Sequence, residues 1–118
     1  LPKISRVIYN RLNTKLKLQF DSTVVYVVGR RGISTTPAER AINSPYNTYV
    51  VPGLPAGPIS APGEAAIKAA LEPTPGSWIF FVTVNPETGE TKFTTTLAEH
   101  DAFTKEFQAW CAAHKGVC

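Results

Sequence analysis

Three short stretches of this chain hold residue types that could do chemistry. Glu99-His100-Asp101 sets two carboxylates around an imidazole, the ingredients of an acid–base pair or a metal site. Gln19 and Asp21 flank Phe20 and place an amide and a carboxylate at alternate positions. Tyr46-Asn47-Thr48-Tyr49 offers uncharged donors and acceptors beside aromatic faces. Sugars present hydroxyls on their edges and C–H groups on their faces, so that third set suits a glycan.

Each stretch also has an ordinary structural reading. Successive helical residues point about 100° apart, so Glu99, His100 and Asp101 do not converge on one ion, and no metal is expected. Two histidines and two cysteines without a CxxC pair make no zinc site. Glu99 closes a capping box, Thr96-Leu97-Ala98-Glu99, in which its carboxylate is expected on the Thr96 amide. Asp21 or Ser22 can cap a helix. Tyr46 and Tyr49 can fasten their loop to the core. His100, in a first helical turn, and Gln19, which has no such structural task, keep a functional reading.

No Ser-His-Asp spacing, nucleophile elbow or dinucleotide fingerprint is present. The glycines of Val51-Pro52-Gly53-Leu54-Pro55-Ala56-Gly57 lie among prolines. Proline removes the backbone N–H groups that a phosphate cradle needs. No lysine has a recognisable phosphate cup or acid partner for pyridoxal chemistry, and no cofactor is expected.

The elements that position these residues are legible in part. Ile4, Val7, Ile8 and Leu12 fall at helical spacing and predict an amphipathic helix to about Asn13. Leu16 to Phe20 alternates as a brief extended link. Thr23 to Val28, ended by Gly29, is open between strand, on its Val-Val-Tyr-Val-Val run, and helix, on its cap and terminal glycine. Thr36-Pro37-Ala38-Glu39 is a capping box opening a short helix that ends near Asn43. Pro62 opens another, with Ala66, Ile67, Ala70 and Leu71 on one side and Pro73 as its stop.

Trp78 to Val84 predicts a central strand, apolar on both faces. Asn85 to Gly89 is a hairpin loop, and Glu90 to Thr95 returns as a polar edge strand. The last helix carries Phe103, Phe107, Trp110 and Cys111 as one stripe, with Gly116 suited to its end. The fold class is α+β, with helices packed on a small antiparallel sheet that contains a C-terminal β-hairpin. With 118 residues, 1–118 is expected to be a single domain.

Between these elements, residues 44–63 hold five of the ten prolines and no charge. Connections beyond about 12–15 residues are usually functional or disordered. Disordered segments are polar and charged, whereas Tyr46, Tyr49, Val50, Val51, Leu54 and Ile59 punctuate this one. A stiff loop loses little entropy on binding.

The net charge of +3 is too weak to argue for nucleic acid. Lys3, Arg6, Arg11, Lys15 and Lys17 precede the first acid and read as a solvated helix face rather than a phosphate contact. Glu64, Glu72, Glu87, Glu90 and Glu106 read as solvated. The chain starts Leu1-Pro2 and contains no Met, which suggests a piece of a longer protein. Cys111 and Cys118 either form a small disulfide, implying an oxidising extracytoplasmic compartment, or stay as thiols.

Several blocks in order resemble the YceG-like family of bacterial endolytic murein transglycosylases, the MltG proteins. They are Val7-Ile8-Tyr9-Asn10-Arg11-Leu12, Leu18-Gln19-Phe20-Asp21-Ser22-Thr23-Val24-Val25-Tyr26 and Ser44-Pro45-Tyr46-Asn47-Thr48-Tyr49. Gly53-Leu54-Pro55-Ala56-Gly57-Pro58-Ile59, Ala61-Pro62-Gly63, Ala69-Ala70-Leu71-Glu72-Pro73, Phe80-Phe81-Val82, Phe93 and Glu99-His100 follow.

The resemblance implies an enzyme anchored in the cytoplasmic membrane and facing the cell wall. It would cut nascent peptidoglycan strands internally and leave 1,6-anhydro-N-acetylmuramic acid ends. One carboxylic acid suffices: it protonates the leaving oxygen, then takes the proton of the sugar's own C6 hydroxyl. The family's catalytic Glu precedes the Asn-Arg-Leu block, a position upstream of Leu1. No glutamate here matches it, so residues 1–118 are expected to be inactive alone.

By matched position, Gln19, Asp21, Asn47, Tyr49 and His100 are the expected substrate-binding residues, with Gln19 and Asn47 as direct hydrogen-bond partners. The family's usual His before the hairpin Phe is Thr91 here. Expected partners are peptidoglycan glycan strands and cell-wall synthases, without nucleic acid, and with the membrane only through a segment absent from this chain. The alternative is a non-enzymatic glycan-binding or scaffold module of the cell-wall machinery.

Overall fold

The structure, a computed structural model, describes residues 1–29 and 34–118. The elements run α1 (Pro2–Asn13), α2 (Asp21–Val28), α3 (Pro37–Arg40), α4 (Glu64–Leu71), β1 (Phe80–Asn85), β2 (Glu90–Thr94) and α5 (Leu97–Ala113). The described residues combine five helices with a two-stranded antiparallel hairpin, the α+β class expected. The described residues form two compact units. One comprises Leu1–Asn10 with Gly63–Val117; the other comprises Arg11–Pro62 with Cys118.

In the first unit, α5 packs on both strands of the hairpin, chiefly β1. Phe80 stacks on His100 of α5 at 4.9 Å between ring centroids. Phe81 lies opposite Phe93 in register, their rings 6.0 Å apart, and Trp78 meets Phe93 at 5.7 Å. Thr83 and Thr91 face each other across the ladder with hydroxyls 3.0 Å apart, a cross-strand hydrogen bond. In the turn, Asn85 Oδ1 accepts the Glu87 and Thr88 amides, and Gly89 takes the left-handed conformation (φ 79°).

Side chains of α1 clamp the segment before the hairpin. Arg6 Nε donates to Thr74 O at 2.8 Å. Asn10 Nδ2 donates to Gly76 O and Trp78 O at 3.1 and 2.8 Å. Lys3 Nζ lies 5.3 Å from the Trp78 ring centroid. The solvated basic face holds for Lys15 and Lys17, which are exposed, whereas Arg6 is engaged by a backbone carbonyl and Lys3, itself exposed, lies over a ring.

Three other expectations change. The strand is not central: among the described residues β1 pairs with β2 alone, and its register slips between Thr83 and Asn85. On α4, Ile67 and Leu71 are exposed and the buried residue is Ala69, so the helix presents its small residue inward rather than its large ones. At α5, Glu99 Oε1 accepts the Thr96 hydroxyl at 2.8 Å rather than the Thr96 amide, while Thr96 Oγ1 still caps the Glu99 N–H. The capping box at Thr36 is complete in both directions. Neither cysteine is free, since Cys111 and Cys118 are both disulfide-bonded.

The second unit begins with the end of α1. The Lys15 N–H bonds Leu12 O and the Leu16 N–H bonds Arg11 O, a Schellman termination with Lys15 at φ 60° in place of glycine. The segment left open in the sequence is helix. Gly29 closes α2 at φ 77°, its N–H on Val25 O, and Val24 and Thr23 are buried. Tertiary burial outweighs the strand propensity of a Val-rich run.

Candidate functional site

The 16–20 link is less extended than its alternation suggests. Gln19 sits at φ 54°, a left-handed conformation uncommon for a residue with a Cβ. Its backbone is held there from both sides. The Gln19 N–H donates to Thr48 O at 3.1 Å, and the Phe20 N–H donates to Thr48 Oγ1 at 2.9 Å. Thr48 has no exposed surface and shares a hydrogen bond of 2.9 Å with Thr23 Oγ1. Ahead of Gln19, the buried Arg11 donates Nη1 to Lys17 O at 2.6 Å, and burial pulls its guanidinium below the ordinary value. The link is pinned on either side while the Gln19 side chain is exposed.

Sparsely populated backbone conformations cost on the order of 1–3 kcal/mol and cluster at ligand sites. Replacing Gln19 with glycine relieves that cost, partly offset by the freer unfolded chain. Gln19→Gly should therefore hold or raise the melting temperature. A loss of several degrees would show that the side chain, not the backbone, is structural.

Asp21 is the first helical residue of α2, not its cap: the N-cap is Phe20, without a side-chain capping bond. Its carboxylate is used elsewhere. Oδ1 accepts the Tyr49 hydroxyl at 2.6 Å and the Thr35 hydroxyl at 2.9 Å. Burial first, then the hydrogen bond to Asp21 and its charge, hold the Tyr49 phenol well above its ordinary value, against the opposing pull of Arg40 and Arg11. Arg40 stands 5.8 Å from the Tyr49 ring centroid, and its Nη1 donates to Thr35 O and Oγ1.

Asn47, expected to bond a ligand directly, is instead enclosed, with no exposed surface. Its Nδ2 donates to Arg40 O at 3.0 Å and Ile42 O at 2.8 Å, and its Oδ1 accepts the Tyr49 N–H at 3.0 Å. The amide is consumed in shaping the loop. Backbone turns complete it: the Val50 and Val51 N–H groups both reach Asn47 O, and the Ala56 N–H reaches Pro45 O. A Cβ at Gly57 would stand 3.1 Å from the Tyr46 hydroxyl, so glycine is what lets Tyr46 lie there.

The structure thus joins Asp21 and Tyr49 directly, with Gln19 and Asn47 in the same unit. His100 belongs to the other unit, where it is half-buried on Phe80 with its Nε2 3.5 Å from Thr104 Oγ1. Sequence reasoning passed over Thr35, Arg11 and Arg40. Arg11 belongs to a run of basic residues that predicts a solvated face; Thr35 carries no local signal. Among the described residues no His/Cys/Asp/Glu group could hold a metal ion. None of the described helices is long and apolar enough to cross a membrane.

Comparison with known proteins places these residues in context. The family model described as the YceG-like family matches residues 1–106. An endolytic murein transglycosylase of Bacillus subtilis is 39% identical over 105 residues, covering 89% of this chain and 29% of the relative. One from Streptococcus pneumoniae is 33% identical over 103 residues, covering 83% of this chain and 18% of the relative. A crystal structure of a YceG-like protein from Listeria monocytogenes superposes with a TM-score of 0.80 at 42% identity, covering 86% of this chain and 33% of that one. The chain therefore spans less than a third of the length of the two relatives named.

Proposed function

Because this chain belongs to the YceG-like family, we propose that it is part of a lytic transglycosylase that cleaves nascent peptidoglycan strands internally and leaves 1,6-anhydro-N-acetylmuramic acid ends. The observation that carries the reading is the match over residues 1–106 to a family model, together with similar proteins named endolytic murein transglycosylases.

The catalytic acid lies in residues of the longer protein outside this stretch. The glutamates within it have other positions. Glu39 and Glu99 are engaged in helix caps, and Glu64, Glu72, Glu87, Glu90 and Glu106 are exposed. A general acid needs an environment that keeps its proton near neutral pH, which an exposed surface does not supply. This stretch binds and orients glycan. Gln19 offers an exposed amide from a pinned backbone, and Asp21 a carboxylate fixed by two hydroxyls. Asn47 and Tyr49 shape that surface from behind, and residues 44–63 form an uncharged wall for a neutral sugar backbone. His100 is proposed as a substrate-binding residue within its own unit. No cofactor takes part.

Location follows from the same reading: the longer protein acts at the extracytoplasmic face of the bacterial cytoplasmic membrane, anchored by an N-terminal transmembrane helix, alongside cell-wall synthases. The disulfide-bonded state of Cys111 and Cys118 supports an oxidising compartment.

The test sets the longer protein and residues 1–118 side by side with uncrosslinked peptidoglycan strands, with products read by mass spectrometry. Anhydro-ended fragments are expected from the longer protein only. Gln19→Ala in that protein should lower turnover about tenfold or more, the scale of one substrate hydrogen bond, with little change in melting temperature. No anhydro products from either chain would favour the non-enzymatic glycan-binding module.

A further inference from the structure

Asp21 carries more hydrogen bonding than its place in α2 requires. A carboxylate at a helix start ordinarily serves the free amides of the first turn, and here it does not. Two hydroxyls come to it from residues 14 and 28 positions away in sequence, and both fall on the same oxygen, Oδ1. Each donor is itself held. Thr35 Oγ1 and its carbonyl oxygen receive Arg40 Nη1, and the Tyr49 backbone N–H is fixed on Asn47 Oδ1. Gln19, two residues before Asp21, is exposed on a backbone pinned by Thr48.

We propose that Tyr49 and Thr35 are positioning residues for Asp21: they lock Oδ1 so that Oδ2 receives a sugar hydroxyl of the bound strand beside the Gln19 amide. The inference rests on the transglycosylase reading. Hydrogen bonds to an ionised acceptor are roughly twice as strong as neutral ones, so two of them restrict the carboxylate to one rotamer. The phenol stays protonated through the neutral range, because burial and the Asp21 charge oppose its ionisation more than Arg40 and Arg11 favour it. It therefore serves as a constant donor and not as an acid or base. The guanidinium of Arg40, over the Tyr49 ring, restrains that ring.

The experiment is a double-mutant cycle in the longer protein, following anhydro-product formation by kcat and KM, with melting temperatures recorded for every variant. Asp21→Asn keeps an oxygen that both hydroxyls can reach and removes the charge. It should lower kcat at least tenfold with a nearly unchanged melting temperature. Tyr49→Phe should lower kcat about fivefold or more in the native background, with KM changed less than twofold, and by less than twofold in the Asp21→Asn background. Thr35→Val should show the same non-additivity and stands in if Tyr49→Phe does not fold.

Equal factors for Tyr49→Phe in both backgrounds would overturn the proposal, since Tyr49 would then act on its own. Unchanged kcat in Tyr49→Phe would overturn it too. So would parallel losses of stability and activity in Tyr49→Phe and Asp21→Asn, which would make the cluster a structural tie. If the native protein releases no anhydro ends, the transglycosylase reading itself falls and this inference with it.

Discussion

Asn47→Ala is expected to destabilise the chain by about 3 kcal/mol or more, the sum of several buried polar groups losing their partners at roughly 1–3 kcal/mol each. The side chain has no exposed surface and makes three hydrogen bonds. Its removal leaves Arg40 O and Ile42 O without that donor and the Tyr49 N–H without that acceptor. Single domains have only about 5–15 kcal/mol in total, so the loss should be plain in urea or thermal unfolding.

Asn47→Asp sharpens the prediction because it preserves volume and the acceptor for Tyr49. It turns an oxygen toward two carbonyls in place of an NH2. At pH 7 it should cost at least as much as the alanine. Burial and the facing carbonyls raise the new carboxyl's pKa in the folded state, so the folded form binds the extra proton. Stability should then rise as pH falls through that raised value, partly restoring a donor. A cost below about 1 kcal/mol for Asn47→Ala would show that the loop is organised by its prolines and turns instead.

The second large effect is expected from Gly76→Ala, in the other unit. Gly76 is not in the left-handed region, so backbone conformation is not the issue. A Cβ there would stand 2.6 Å from Trp78 Cε3 and closer still to Cζ3, so the indole must move. That ring packs on Phe93 and lies under Lys3. The carbonyls of Gly76 and Trp78 are both held by Asn10.

Overpacking of this kind costs about 1–3 kcal/mol, and loss of a partly exposed cation–π contact adds roughly 0.5–1 kcal/mol. In a Trp110→Phe background, where Trp78 is the sole fluorophore of its kind, Gly76→Ala should shift emission to longer wavelength and lower the melting temperature. Unchanged emission would mean that the segment from Thr74 to Trp78 yields without moving the ring.

The sequence by itself determined the elements whose signals are local. The apolar spacing of α1, the Thr36 and Thr96 caps, the Asn85–Gly89 turn and the stripe of α5 each depend on residues within about one or two turns of one another. The blocks around Asn10-Arg11-Leu12 and Ser44 to Tyr49 also marked the family, because a combination of motifs in order does not depend on knowing which side chain is buried.

Tertiary structure decided what non-local partners decide. Val24 to Val28 is helical because Thr23 and Val24 are buried, although its residues favour a strand. Arg11 is buried, not solvated, because the carbonyls of Lys17 and Leu18 lie where its guanidinium can reach them. Ile67 and Leu71 are exposed because the close contact of α4 is made through Ala69. Asp21 is not a cap because Thr35 and Tyr49, far along the chain, converge on its carboxylate. For the candidate site, the family resemblance, position by position, named Gln19, Asp21, Asn47, Tyr49 and His100. Which of them faces outward was decided by hydrogen bonds spanning up to 29 residues, from the Gln19 amide to the Thr48 carbonyl, and no local pattern encodes those.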